Sequence, residues 1–102
     1  MREEVLFDRG TTLVRRLRLE PSERMPWHVD PYHRVSIVLR GDRLEIEYRD
    51  GGDSHPIEVQ PGQVGWDEPT DRPHRAHNVG SAYEEVTIFF RDREDAPYQP
   101  KV

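Results

Sequence analysis

The chain has 102 residues, fifteen Lys and Arg against twenty Asp and Glu, a net charge of −5 and no cysteine. That length fits one domain whose small core buries about 60–70% of the unfolded surface. The acidic balance argues against a nucleic-acid partner, and the missing thiols exclude disulfides and cysteine metal ligands.

No run approaches the ~20 apolar residues of a membrane span, and the opening M-R-E-E-V-L-F-D-R-G has no apolar signal core. A soluble, cytoplasmic protein with no membrane partner is expected. At 34% charged and 33% hydrophobic residues the chain is polar. Its charges are mixed, however, and its apolar residues alternate, which a disordered chain would not show.

Glu4 to Phe7 reads as a short opening strand closed by Asp8-Arg9-Gly10. Thr11 to Leu19 alternates: Leu13, Leu17 and Leu19 share one face with Arg15, and Thr12, Val14, Arg16 and Arg18 share the other. Pro21-Ser22-Glu23 breaks that run. Arg34 to Arg40 places Val35, Ile37 and Leu39 opposite Arg34, Ser36 and Val38.

After Gly41-Asp42, residues Arg43 to Arg49 give the clearest alternation, Leu44, Ile46 and Tyr48 against Arg43, Glu45 and Glu47. Asp50-Gly51-Gly52-Asp53 is a hairpin signal. His55 to Val59, Val64 to Trp66, Arg72 to Asn78 and Glu85 to Phe90 supply further strands, and residues 91–102 form a proline-containing tail. No segment has a helical period. Short strands with one apolar and one polar face predict an all-β antiparallel barrel or jelly roll.

Four of the five histidines fall in two segments, Trp27 to Gly41 and Pro61 to Gly80. The first reads W-H-V-D-P-Y-H-R-V-S-I-V-L-R-G and the second P-G-Q-V-G-W-D-E-P-T-D-R-P-H-R-A-H-N-V-G. Together they resemble the two motifs of a small single-domain cupin, G-x5-H-x-H-x3-4-E-x6-G and G-x5-P-x-G-x2-H-x3-N. His28 and Gly41 fit the first motif; Pro69, His74 and Asn78 fit the second. Ser22 stands at the first glycine, Asp30 at the second histidine, Arg34 at the glutamate and Asp71 at the second motif's internal glycine. Pro61-Gly62 lies one residue off the glycine that opens the second motif.

The resemblance implies a cupin-type double-stranded β-helix over residues 1–102, with residues 91–102 as its tail. It also implies a homodimer in which the amino-terminal strands or the tail are exchanged or docked. It further implies a divalent metal inside the barrel, with His28, Asp30 and His74 at ligand positions.

The residues support that set on their own terms. His28 and Asp30 share a face of an extended segment, and two histidines with one carboxylate form a facial triad suited to iron, manganese, nickel or zinc. The plainer reading is a hydrogen-bonded pair on a loop.

Arg34 has three readings: a partner for Asp30, a clamp for a ligand's carboxylate or phosphate, or a surface strand end. Ser36, Trp66, His77 and Asn78 join Arg34 as candidate ligand contacts. His33 and His77 neighbour the motif positions, so alternation sends them outward unless a bulge intervenes. His55 follows a turn and is expected to be exposed. Two functions remain open. One is a barrel that binds a small polar or anionic molecule, with or without a metal. The other is a metal-dependent dioxygenase or isomerase.

Overall fold

A computed structural model describes residues 1–91. The expectation for residues 92–102 as a docked or exchanged arm lies outside the described residues. Nine strands are present among them: β1 (Arg2–Asp8), β2 (Thr12–Leu19), β3 (His28–Asp30), β4 (His33–Arg40), β5 (Arg43–Tyr48), β6 (His55–Glu58), β7 (Val64–Asp67), β8 (Thr70–Asn78) and β9 (Tyr83–Phe90). All pairings are antiparallel, in a five-stranded sheet ordered β1-β2-β9-β4-β7 and a four-stranded sheet ordered β3-β8-β5-β6. The all-β jelly-roll expectation holds. The alternating runs named in the sequence are strands, with ends shifted by one to two residues. β3 adds a short strand where the sequence shows only an extended segment.

Register determines what each sheet presents. Across the five-stranded sheet Arg15 pairs with Thr87 and Thr87 with Ser36, while Phe89 pairs with Arg34. Paired residues share a face, so these side chains stand together. Arg15, Arg34, Ser36, Glu85 and Thr87 all line the space between the sheets. The other face of β4 and β9 carries Val35, Ile37, Val86 and Ile88. Antiparallel sheets usually turn their apolar side inward; on β4 and β9 much of the polar side is inside.

The apolar core gathers toward one end. Leu19, Val38, Leu44, Ala76 and Tyr83 form a buried cluster, flanked by Met25, Ile46 and Val59. Along β8 the inward side chains run His74, Ala76, Asn78, opposite Tyr48, Ile46 and Leu44 of β5. The barrel therefore grades from a polar end to an apolar base. Gly41 turns the chain at that base with φ +126°, and a Cβ there would lie 2.7 Å from Tyr83 Cδ2. Only glycine avoids both the backbone strain and the overlap. Ser22 also adopts a positive φ, +74°. This is the position at which the first motif has glycine.

Candidate metal centre and ligand cavity

His28 of β3 and His74 of β8 are direct cross-strand partners, and their rings stand 4.7 Å apart. The register shifts between His28 and Asp30, and the Asp30 carboxylate faces the same point. Asp30 Oδ2 lies 2.8 Å from His74 Nε2 and 3.6 Å from His28 Nε2. One ligand atom from each of the three residues falls within 4.8 Å of the others, and all three residues are partly buried.

The other ring nitrogens fix the tautomers. His28 Nδ1 lies 2.8 Å from the Pro26 carbonyl oxygen, and His74 Nδ1 lies 2.7 Å from that of Arg72. A carbonyl only accepts, so each Nδ1 carries the hydrogen and donates. In the neutral rings both Nε2 atoms then present lone pairs, and the carboxylate they face is also an acceptor. Three acceptors at these separations need a cation or proton among them. Backbone carbonyls holding Nδ1–H are the outer contacts that orient metal-binding histidines. The donor set and spacing fit a divalent ion with Nε2, Nε2 and carboxylate ligands.

Arg34 enters the same site. Its Nη2 lies 3.3 Å from Asp30 Oδ2 and 3.9 Å from Asp67 Oδ2. Its Nη1 is buried with no hydrogen-bond partner among the described residues. Of the three readings of Arg34, the surface one is excluded, since the side chain lines the cavity. In the sequence, Arg34 stands at the position of the first motif's glutamate.

The cavity between the sheets has a volume of about 620 Å³, within the range of small-molecule sites. Ser36 lines it. Trp66, His77 and Asn78, the other candidate ligand contacts, do not line it. Trp66 pairs with Val35, on the side of β4 that faces away from the cavity, and stacks on Phe90 at 5.8 Å. His77 pairs with Glu45, forms a bridge to Arg24 and stays out of the cavity, as alternation without a bulge predicts. Alternation places both on the opposite faces.

Asn78 is the third. It points to the base and is fully buried, donating to the Leu19 and Ser81 carbonyls and accepting from Gly80 N–H. Its role is to close the turn that follows β8. The His33 ring lies tilted against Trp66 at 5.6 Å, outside the cavity, whereas His55, though exposed, lines the cavity.

Arg15, Tyr83, Glu85 and Thr87 also line the cavity, beyond the residues that the motifs single out. Thr87 Oγ1 donates to Glu85 Oε2 at 2.8 Å, and Arg15 Nη2 donates to Thr87 at 3.4 Å. Burial, reinforced by Glu85, pushes the Tyr83 hydroxyl pKa up, so Tyr83 stays neutral. A sequence signal for Arg15 exists: it interrupts the inward row Leu13, Leu17, Leu19.

Solved structures share this architecture. A cupin domain from Bordetella pertussis Tohama I is 20% identical, with TM-score 0.74 over 85% of this chain and 88% of that one. The fold is that of the cupins. An RmlC-like cupin family protein with a double-stranded β-helix fold from Methanocaldococcus jannaschii is 16% identical, with TM-score 0.69 over 92% and 84% of the two chains. A conserved protein with a double-stranded β-helix domain from Klebsiella pneumoniae is 18% identical, with TM-score 0.66 over 93% and 78%. No family model and no curated protein matches the chain. The cupin likeness is therefore one of fold, and the site's chemistry rests on its own residues.

Proposed function

We propose that this cupin barrel binds a small anionic molecule in its cavity, beside a divalent metal ion held by His28, Asp30 and His74. The convergence of two Nε2 lone pairs and a carboxylate supports this most directly. Iron, manganese, nickel and zinc all accept such a set. When bound, the ion supplies a Lewis acid with open positions for a ligand oxygen.

The chain's own residues then do the selecting. Arg34 directs an unpaired N–H at an acid group of the ligand. Ser36 and Thr87 offer hydroxyls, and the apolar base formed by Val38, Leu44 and Ala76 limits water. The same two-histidine, one-carboxylate set supports a second reading, a metal-dependent dioxygenase or isomerase in which Arg34 orients an anionic substrate.

The test is thermal unfolding with each metal, alone and with small carboxylates or phosphate esters, for the wild type and Arg34→Gln. A ligand that binds only the folded state raises the melting temperature by mass action. The expected result is a metal-dependent rise in both proteins and a further anion-dependent rise in the wild type only. An anion effect that survives Arg34→Gln would remove Arg34 from the ligand site.

A further inference from the structure

Glu85 lines the cavity from β9, where the polar wall gives way to the apolar base. Its row across the sheet is Leu17, Glu85 and Val38, and the two aliphatic neighbours are 0% and 6% exposed. A carboxylate in such surroundings needs hydrogen bonds and an opposing cation. The hydrogen bonds are in place. Thr87 Oγ1 donates to Glu85 Oε2 at 2.8 Å, and the neutral Tyr83 hydroxyl lies beside the carboxylate.

The cation is missing among the described residues. Arg15 shares this wall, but its Nη1 pairs with Glu3 at 2.8 Å and its Nη2 stops at Thr87, 3.4 Å away. One guanidinium therefore stands among two carboxylates, and it meets Glu85 only through a hydroxyl. The cavity thus carries negative charge on this wall and the Arg34 guanidinium near the metal centre.

We propose that the ligand supplies the missing cation: Glu85 receives the protonated amine of a molecule whose acid group meets Arg34. The ligand class is an amino acid with its amine and acid at opposite ends of a short chain. Arg34 as the acid-binding group is taken from the function proposed above; Glu85 adds the other end of the ligand.

The register sets the spacing. Arg34 pairs with Phe89, four residues beyond Glu85 on β9. At ~3.4 Å rise and ~4.8 Å between strands, the Arg34 and Glu85 Cα atoms stand about 14 Å apart. An amine on the carbon next to the acid is too close to it to reach both. Between the two charged rows lies the row of Ser36 and Thr87, whose hydroxyls face a chain that spans them.

The experiment is calorimetric titration of the full chain with 5-aminopentanoate, pentanoate and pentylamine, for the wild type, Glu85→Gln and Arg34→Gln. Glutamine keeps an acceptor for Thr87 and Tyr83 and removes the charge. The wild type is expected to bind 5-aminopentanoate at least about tenfold more tightly than pentanoate, as a charge-assisted hydrogen bond provides. Glu85→Gln is expected to bind the two acids equally. Arg34→Gln is expected to bind both more weakly and to keep their ratio. Pentylamine that binds while pentanoate does not, and is lost in Glu85→Gln, would keep the amine site and remove Arg34 as the acid-binding group. A wild type that binds the two acids equally, or binds none of the three probes, overturns the proposal. So does a preference for the amine that survives Glu85→Gln. The wild-type ratio decides alone where that variant fails to fold.

Discussion

His74 Nε2 stands 2.8 Å from Asp30 Oδ2 while His74 Nδ1 is held by the Arg72 carbonyl. The ring cannot, when neutral, donate to both. With His28 held the same way, the barrel presents lone pairs to a common point, and Arg34 is the positive group nearest to it among the described residues.

Arg34 therefore sets the balance between cation and anion in the cavity. Arg34→Glu removes the competing charge and supplies a fourth ligand. It is expected to raise divalent-metal affinity at least about tenfold, or ~1.4 kcal/mol, while abolishing anion binding. Calorimetric titration of both ligands checks this; metal affinity that falls in the variant would place Arg34's charge outside the balance.

Ser22 and Gly41 test the backbone. Ser22 holds φ +74°, so Ser22→Gly is expected to stabilise the fold by about 0.5 kcal/mol, strain relief being partly offset by unfolded-state entropy. Gly41→Ala meets both positive φ and the Tyr83 ring, and is expected to cost about 2–4 kcal/mol. Denaturant midpoints measure both, and a Gly41→Ala variant as stable as the wild type would show that Tyr83 yields freely.

Asn78→Leu separates a structural asparagine from a ligand contact. It strands the buried Leu19 carbonyl and the Gly80 N–H, at an expected cost of about 2–3 kcal/mol. Anion affinity, measured on the folded fraction, should not change.

Acid sensitivity should follow the arginine-bound carboxylates. Arg72, aided by Gly52 N–H, holds the Asp50 carboxyl at about 2, below its ordinary 3.8. Arg75, with Arg24, lowers Glu47 in the same way. A folded pKa below the unfolded one gives stability that is present above the unfolded value and lost as pH falls through the folded one. Melting temperature is expected to hold above pH ~5 and decline toward pH ~2, with a shallower decline in Asp50→Asn. An identical slope in that variant would assign the acid loss to other groups.

Much of this is legible in the sequence because period two is a local property. Leu44, Ile46 and Tyr48 show their strand, and the Ser22 and Gly41 positions show where the chain turns. The inversion of β4 and β9 is not legible. Alternation says that Ser36 and Ile37 face opposite ways, but only the pairing of Ser36 with Thr87 across the barrel says which way is in. Trp66 escapes a sequence reading for the same reason, whereas the outward placement of His77 is legible from alternation. That Asp30 joins His28 is legible as two side chains on one face of an extended segment, whereas the register shift between them in β3 is encoded by no residue spacing. Arg15 is within reach of the sequence, as the one charge in an inward leucine row.

The most direct test of the metal centre is elemental analysis of untagged protein purified without chelator, beside His74→Ala. The account predicts near-stoichiometric iron, manganese, nickel or zinc in the wild type and its loss in the variant. A wild type that holds none of these, even after incubation with each ion, would contradict it and leave His28, Asp30, Arg34 and His74 as a metal-free ion-pair cluster.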